Sequence, residues 1–431
     1  MKLKNYILCM AAIGILAGCS DNEPILDNPI QPGTALLSLA IDTRDVMTKG
    51  MTKADEDATI ASLSVFVYDA TSGKLLADKT KEIEAGAQTE VDSILVSPVL
   101  SKVLVLANLE NDMIELLKKT DLNGALAATT VLSSESMGRF TMSSELKTVR
   151  IQEYLYNMMG YTDLQVENTE NAVSIYQEKE TDPSIKLYRT VARVQLMSVE
   201  YDDEKDEFGT FVSLTIDSMF LGNVKSSSYI ASNKDYLQVE VADAALPANG
   251  WWFGSHEFWA DRPYKTPVGN QEDGQTKLEK DLLSHQFEAP LTLTKTPEKL
   301  EVTGEKGNAI DGKQFFIYEN SADGAGRSAG YTTYLVLRGT YVYLDKEGKQ
   351  KEMKDRYYPI PINNNKGTST QTGVLMPNHQ GIMRNNSYDI WVTVYGPGSD
   401  EPWLPSEFIN LNAKVVVVNW YPKVVIEEPV E

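Results

Sequence analysis

Apolar residues recur at a spacing of two along most of this chain of 431 residues. That spacing is typical of β-strands with one buried face, particularly where Val, Leu, Tyr and Thr are abundant. It predicts strands at 34–42, 61–69, 102–108, 185–200, 210–221, 314–318, 331–344, 387–395 and 412–420. Helical spacing is confined mainly to 112–119 and 145–159. We therefore expect a mainly β protein with a few short helices, built as β-sandwiches.

Turn residues and a change of composition divide this pattern. Residues 69–73 (Asp-Ala-Thr-Ser-Gly) and 345–348 (Asp-Lys-Glu-Gly) predict hairpin connections, and residues 260–275 predict a long surface loop. Residues 167–183 contain many acidic residues and few apolar ones. They predict a boundary between an N-terminal domain, 34–184, and a C-terminal domain, 185–431.

The first residues have the pattern of a lipoprotein signal peptide. Lys2 and Lys4 precede an apolar run that ends at Leu16, and Ala17-Gly18-Cys19 follows it. A run this short does not span a bilayer, which takes about 20 apolar residues. The pattern predicts that residues 1–18 are removed and that the thiol of Cys19 carries the lipid, followed by a solvated tether over 19–33.

Charge and cysteine content exclude several classes of protein. The chain has 61 acidic and 40 basic residues, a formal net charge of -21, which argues against nucleic acid and anionic lipid as partners. Its two cysteines are Cys9 and Cys19, so the mature chain retains one and forms no internal disulfide. We expect the hydrophobic core to hold the exported protein together.

The chain offers little for catalysis. His256, His285 and His379 lack the spacing of a zinc helix, and no nucleophile elbow, phosphate loop or dinucleotide motif occurs. We expect no enzyme activity, no metal site and no cofactor. The aromatic cluster Trp251, Trp252 and Trp259 is open to two interpretations, stacking on a sugar ring or packing at a core or domain interface.

Five segments carry a family resemblance. They are 64–69 with 73–76 (SVFVYD, GKLL), 103–108 (VLVLAN), 190–194 (TVARV), 316–320 (FIYEN), and 384–388 (RNNSY) running into 395–398 (YGPG). In this order, together with the lipoprotein signal, they resemble the FimA/Mfa-type fimbrillins over roughly residues 16–420. The resemblance implies two transthyretin-like, Greek-key β-sandwich domains in a pilus subunit of Bacteroides-type bacteria.

The resemblance also implies how the subunit matures. In the family a trypsin-like protease cuts after an arginine in the loop behind the first strand, and that strand is then displaced. Here the displaced strand is 34–43, with Leu37, Leu39 and Ile41 alternating on one face. Arg44 matches the arginine by position, although Lys49 and Lys53 lie in the same loop. The alternative interpretation of Arg44 is an ordinary loop charge.

The C-terminal segment is the expected replacement for that strand. An extended segment from a neighbouring subunit can fill an apolar groove through ladder hydrogen bonds and alternate side chains. Residues 413–427 hold two β-branched runs that fit this role; the candidate donor residues are Val415, Val416, Val417, Val418, Trp420, Val424 and Ile426. The alternative is that 415–418 is a permanent buried strand of its own domain.

The implied function is a fimbrial stalk subunit that supports adhesion, with identical or related subunits as partners. We expect an outer-membrane lipoprotein, anchored through palmitate on Cys19 and surface exposed, that matures into extracellular fimbriae. A fimbrial tip or accessory adhesin and a non-polymerising glycan-binding lipoprotein are the alternatives. Ser93 and Ser218 each follow an aspartate in a three-residue pattern that resembles the O-glycosylation acceptor of these bacteria, or they are plain strand residues.

The lipid anchor yields a first prediction. Replacing Cys19 with alanine removes the only thiol of the mature chain, so we expect radiolabelled palmitate incorporation and membrane delivery to be lost. Replacing the neighbouring Ser20 with alanine is the control and should leave both intact. Palmitate incorporation that persists in the Cys19→Ala variant would rule out the lipoprotein assignment.

Overall fold

The structure is a computed structural model, and it describes the chain in fourteen stretches. These are residues 34–41, 60–83, 89–135, 139–177, 183–202, 208–225, 227–231, 252–253, 283–294, 301–303, 309–321, 333–362, 381–402 and 411–419. Cys19, Arg44, Trp251, Trp259, His256 and His379 lie outside these residues, as do Trp420, Val424 and Ile426. The predicted loop at 260–275 lies outside them too.

The described residues of the N-terminal half form eleven strands and three α-helices in the order of the chain. The strands are β1 (Ala35–Ala40), β2 (Ser62–Asp69), β3 (Leu75–Glu82), β4 (Glu90–Val96), β5 (Leu100–Ala107), β6 (Thr129–Val131), β7 (Met142–Ser143), β8 (Lys147–Arg150), β9 (Tyr156–Met159), β10 (Ala172–Tyr176) and β11 (Tyr188–Arg189). The helices are α1 (Asn111–Leu117), α2 (Leu122–Ala127) and α3 (Asp163–Glu167).

Two sheets of this half pack face to face. One has the order β10-β9-β1-β4; the other has the order β11-β7-β5-β2-β3, with β8 also paired to β5. The core between them includes Leu37 and Leu39 from the first sheet and Val65 and Val105 from the second, all buried. Helices α1 and α2 cover the outer face of the second sheet by packing on Phe66 and Leu104.

The C-terminal half forms a second pair of sheets. Its strands are β12 (Val191–Tyr201), β13 (Thr210–Gly222), β14 (Val224–Lys225), β15 (Ser227–Tyr229), β16 (Trp252–Phe253), β17 (Ser284–Thr294), β18 (Glu301–Thr303), β19 (Gln314–Tyr318), β20 (Asn320–Ser321), β21 (Tyr334–Leu344), β22 (Gln350–Pro361), β23 (Gly381–Ile382), β24 (Asn386–Val394) and β25 (Leu411–Asn419). One sheet has the order β18-β12-β24-β25, with β19 also on β12, and the other has the order β17-β13-β21-β22. A core that includes Leu196, Leu214, Leu337 and Ile390 fills the space between them.

The expectation of a mainly β sandwich protein with a few short helices is therefore confirmed, while the Greek-key detail stays a prediction. Both predicted hairpin turns are also present. The Asp69 carboxylate accepts hydrogen bonds from the backbone of Thr71 and Ser72, and Gly73 has a φ of 72°. Asp345 plays the same part for Glu347 and Lys349, next to Gly348 with a φ of 75°.

The helix predicted at 145–159 is wrong, because this segment contains β8, a turn and β9. Tyr154 has a φ of 61°, which ends any helical course there. The buried Asn157 side chain closes the turn by accepting from the Gln152 amide at 2.7 Å and donating to its carbonyl at 2.9 Å. Pairing with β1 and β10 therefore overrides the local helical pattern.

The long strand predicted at 185–200 is divided at the passage between the two halves. Ile185 forms a bridge to Ile41, and β11 pairs with β7, so these residues contact the first pair of sheets. Thr190 lies between β11 and β12, and its backbone amide donates to the Thr141 carbonyl at 2.9 Å. The domain boundary at 184/185 stays a prediction.

Candidate subunit interface

The first strand lies inside its sheet rather than at an edge. β1 pairs antiparallel with β4, where Ala35 faces Val96 and Leu37 faces Ile94. On its other side it pairs in parallel with β9, where Leu37 faces Asn157. Removing β1 therefore leaves two rows of unpaired backbone groups that face each other across one vacant strand position.

The inner face of β1 fills the core of the first sandwich. Leu37 and Leu39 are each 0% exposed and Ile41 is 5% exposed. Their partners across the core include Leu63, Val65 and other apolar residues of β2 and β5. The face predicted for these three residues is the buried one, so loss of β1 opens an apolar groove between β9 and β4.

A polar contact beside the groove was not anticipated from the sequence. Asn157 on β9 is 0% exposed, and its amide donates to the Leu36 carbonyl at 3.2 Å as well as to the carbonyls of its own turn. A strand that replaces β1 must offer a carbonyl at the same place, because an unsatisfied buried donor is costly. The sequence signal that could have indicated this contact is an asparagine among apolar and aromatic residues at 156–159.

Two lysines cover part of the other side of β4. Lys79 and Lys81 on β3 extend their ammonium groups to β4, where they donate to the Asp92 and Glu90 carbonyls. The Lys81 contact measures 2.7 Å. Lysines at a sheet edge are a common protection against pairing with another chain, so they guard the Glu90 end of this edge.

The predicted donor run 415–418 lies in β25, which is an edge strand among the described strands. β25 pairs antiparallel with β24, where Val415 is the register partner of Ile390 and Val417 that of Tyr388. Val415 packs partly on the core, while Asn412, Ala413 and Lys414 are exposed. Val416 and Val418 are the register partners of Asp389 and Ser387. The donor and displaced-strand assignments stay predictions.

The segments that carry the family resemblance meet where the two halves join. Arg384 is 0% exposed and forms a two-pronged pair with Glu319, at 2.7 Å from Nε and 2.6 Å from Nη2. Arg384 also donates to the Tyr229 carbonyl at 2.8 Å, and Ser228 donates to Glu319 at 2.6 Å. These contacts hold β15, which pairs with β6 of the N-terminal half.

A second buried cluster reinforces this junction. The Glu135 carboxylate accepts from the Thr141 amide at 2.8 Å, the Tyr318 hydroxyl at 3.0 Å and the Thr190 hydroxyl at 3.1 Å. Burial raises the pKa of Glu135 and that of Tyr318. The rings of Phe140 and Phe316 lie 4.6 Å apart beside it. The cluster links residues of the first pair of sheets to Tyr318 and Phe316 of the second.

The remaining candidate residues have ordinary surroundings. His285 lies 2.8 Å from the Gln314 carbonyl, and burial lowers its pKa. Ser93 is exposed at a bulge, and its backbone amide donates to the Ser38 hydroxyl at 3.2 Å. Ser218 is buried, and its hydroxyl donates to the Asp217 carboxylate.

Within the described residues, no group of acidic, His or Cys side chains is placed to hold a metal. No helix among these residues is long and apolar enough to cross a membrane.

Comparison with known proteins places this fold among fimbrial subunits. The family model described as major fimbrial subunit protein (FimA) matches residues 35–189. A candidate fimbrium tip subunit of Parabacteroides distasonis, Fim1C, is 28% identical over 56% of this chain, a match that spans 63% of that protein. The type-2 major fimbrium subunit FimA of Porphyromonas gingivalis is 24% identical, and the match covers 97% of each chain.

Two crystal structures share the fold. A candidate cell adhesion protein from Parabacteroides distasonis superposes with a TM-score of 0.62 at 22% identity, covering 90% of this chain and 99% of that one. A fimbrilin from Porphyromonas gingivalis superposes with a TM-score of 0.53 at 21% identity, covering 90% and 98% of the two chains.

The groove yields a second prediction. Replacing Leu37 with alanine should lower the free energy of unfolding of the uncut chain by about 2–5 kcal/mol, because a fully buried side chain is truncated. The same change weakens the hold on β1, so after cleavage of the loop the cut strand should dissociate faster. Chemical denaturation and the release of the cleaved peptide measure the two effects.

The matched control is Val105→Ala, which truncates a residue of the same core on β5. It should destabilise the chain and leave release of the cut strand nearly unchanged. Equal rates of strand release in the two variants would contradict the view that β1 is held chiefly by its own buried face.

Proposed function

The chain belongs to the FimA/Mfa-type fimbrillins and is a fimbrial subunit, and we propose that it is a stalk subunit that polymerises by donor-strand exchange. Cleavage after Arg44 frees β1, and residues of about 413–427 from another subunit then occupy its position. The observation that carries the proposal is the internal position of β1 between β9 and β4. A vacant internal position offers an added strand backbone hydrogen bonds on both sides and an apolar groove on one face, and few places in a sheet offer both.

The two ends of the molecule support a head-to-tail arrangement. In the first sandwich, the Ile41 end of β1 bridges Ile185 near the junction, so the Ala35 end opens at the far side. In the second, Asn419 pairs with Asn386 near the junction, while Leu411 pairs with Val394 at the far side. A segment released from β24 therefore leaves its own subunit at the far side of the second sandwich. The groove of the next subunit opens at the far side of its first sandwich, so these two ends would meet.

The edge position of β25 supports release of the whole strand. Among the described strands, β25 pairs with β24, so release of its 9 residues breaks one ladder. That length exceeds the 6 residues of β1 that a donated strand would replace.

This arrangement fixes the direction of the donated strand. It enters at the Ala35 end and runs toward the Ile41 end, so it lies parallel to β9 and antiparallel to β4, as β1 does. Before assembly, lipidation at Cys19 holds the precursor in the outer membrane, and a trypsin-like protease releases it. The mature chain then supports adhesion in extracellular fimbriae by binding a receptor on a host or bacterial surface. It has no enzyme activity in this proposal.

A tip subunit is the second candidate, favoured by the similarity to the candidate tip subunit Fim1C. A tip needs a groove to accept a strand and has no need of a donor. The nine-residue edge strand that ends in a β-branched run supports the stalk role. Electron microscopy separates the two, because a stalk subunit alone forms long fibres and a tip subunit does not.

Maturation yields a third prediction. Limited trypsin treatment of the precursor should produce one stable fragment that begins at Asp45, because proteases cut preferentially in loops, as the sequence predicts here, and the described sandwiches are packed. N-terminal sequencing of the fragment checks the bond, and Arg44→Gln should block its formation. A fragment that begins beyond Lys49 or Lys53 would show that another bond of the loop is the one cut.

A disulfide tests donation. Ser387 and Val418 are register partners, so cysteines at both positions should bond and fix β25 to its own sheet. In a chain that lacks its first 19 residues these are the only thiols. We expect the oxidised, trypsin-treated variant to stay monomeric in electron microscopy and a reducing agent to restore fibres.

The matched control places cysteines at Thr393 and Asn412, which are also register partners. This bond holds only the start of β25 and leaves residues from 413 onward free, so fibres should form in oxidising and reducing conditions alike. Normal fibres from the oxidised Ser387/Val418 variant would place the donor segment beyond Asn419 and overturn this part of the proposal.

A further inference from the structure

The outer face of the sheet that contains β1 carries an apolar row across the displaced strand. Leu95 on β4 and Tyr156 on β9 are both register partners of Leu36 on β1, and we call these three residues the outer row. We propose that the outer row is a second recognition surface, which selects donor strands with an apolar side chain on the outward face. This inference rests on the proposed donor-strand exchange and names what the groove recognises.

The outer row is unusual for a strand with one face toward solvent. Such strands alternate apolar and polar residues, so the neighbour of the buried Leu37 is ordinarily polar. Here Leu36 is apolar and half-buried, and Leu95 beside it is 61% exposed. An exposed leucine contributes little to the stability of its own subunit, so stability alone gives no reason for this side chain.

Loss of β1 divides the outer row. Leu95 and Tyr156 then lie on the strands either side of the gap, about 10 Å apart at the strand spacing of a sheet. An apolar side chain in the place of Leu36 re-forms the contact with both neighbours. A charged side chain there would lie between two apolar groups and lose hydration without gaining a partner.

The occupant that fits is the C-terminal run of a second copy of this chain. Four valines stand in succession at 415–418, and Val424-Val425-Ile426 follows. In either run, each apolar residue that enters the core places another apolar residue on the outward face. A strand of alternating apolar and polar residues would fill the inner pockets with its apolar side chains. It would place a polar side chain between Leu95 and Tyr156 in the outer row.

The register supports assigning this contact to the vacated position. A strand in the place of β1 pairs with Leu95 on one side and Tyr156 on the other, as Leu36 does. It is therefore placed between both side chains of the outer row at once. The inference makes Leu95 and Tyr156 specificity-determining residues of the groove.

The test uses the full chain, treated with trypsin, with the rate of fibre growth followed by light scattering and electron microscopy. We expect Leu95→Glu to reduce the rate about tenfold or more and Leu95→Ala to reduce it less. The matched control is Leu116→Glu on α1, where the leucine is 50% exposed and the helix packs on the outer face of the other sheet of the sandwich. It should grow fibres at the rate of the unaltered chain.

Thermal unfolding of each uncut variant should match the unaltered chain, which excludes misfolding as the cause. Equal growth for Leu95→Glu and Leu116→Glu, with fibres from the unaltered chain, would overturn the proposed role of the outer row and leave donor-strand exchange intact. An equal loss of growth in both variants would also overturn it, because the effect would then follow surface charge. Failure of the unaltered chain to form fibres after cleavage would refute both proposals.

Discussion

The rest of the structure depends on the internal position of β1 in its sheet. A strand with neighbours on both sides satisfies two rows of backbone groups and fills the core with one face, so no rearrangement inside the subunit replaces all of these contacts. The described residues resume at Ile60, so one cut between residues 41 and 60 separates β1 in sequence from the strands with which it pairs. These two facts make β1 both important to the precursor and separable by one cut.

Three features then act on the same position. The inner pockets of Leu37 and Leu39 and the outer row of Leu95 and Tyr156 define the two faces that a replacement strand must match. Lys79 and Lys81 cover the Asp92 and Glu90 carbonyls at the other edge of β4. A protein with a net charge of -21 repels its own copies, so in the proposed assembly a narrow and mostly apolar contact would hold copies together only where the strand fits.

The buried pair of Arg384 and Glu319 has a different role. It holds β15 against β6, and Glu135 bonds to Tyr318 close by, so the two halves share polar contacts that are costly to break one at a time. In a fibre joined through the first sandwich at one end and β25 at the other, tension passes through this junction. Residues 316–320 and 384–388, which carry the family resemblance, therefore contribute to the junction between the two halves.

Sequence reasoning succeeded where the signal is local. Alternating residues gave β1, β13 and β25 with small errors at their ends, and Asp69 with Gly73 gave a turn, because each pattern is complete within one short segment. It failed at 145–159, where contacts with β1 and β10 decide the conformation. Asn157, Lys79 and Leu95 were missed for the same reason, since each has meaning only beside a residue far away in the chain.

A reconstruction of the assembled fibre by cryo-electron microscopy tests the central claim most directly. The density between β9 and β4 should belong to residues of about 413–427 from the adjacent subunit, parallel to β9, with β1 absent and an apolar side chain between Leu95 and Tyr156. Density for residues 35–40 of the same subunit in that position would contradict donor-strand exchange, however the subunits are joined.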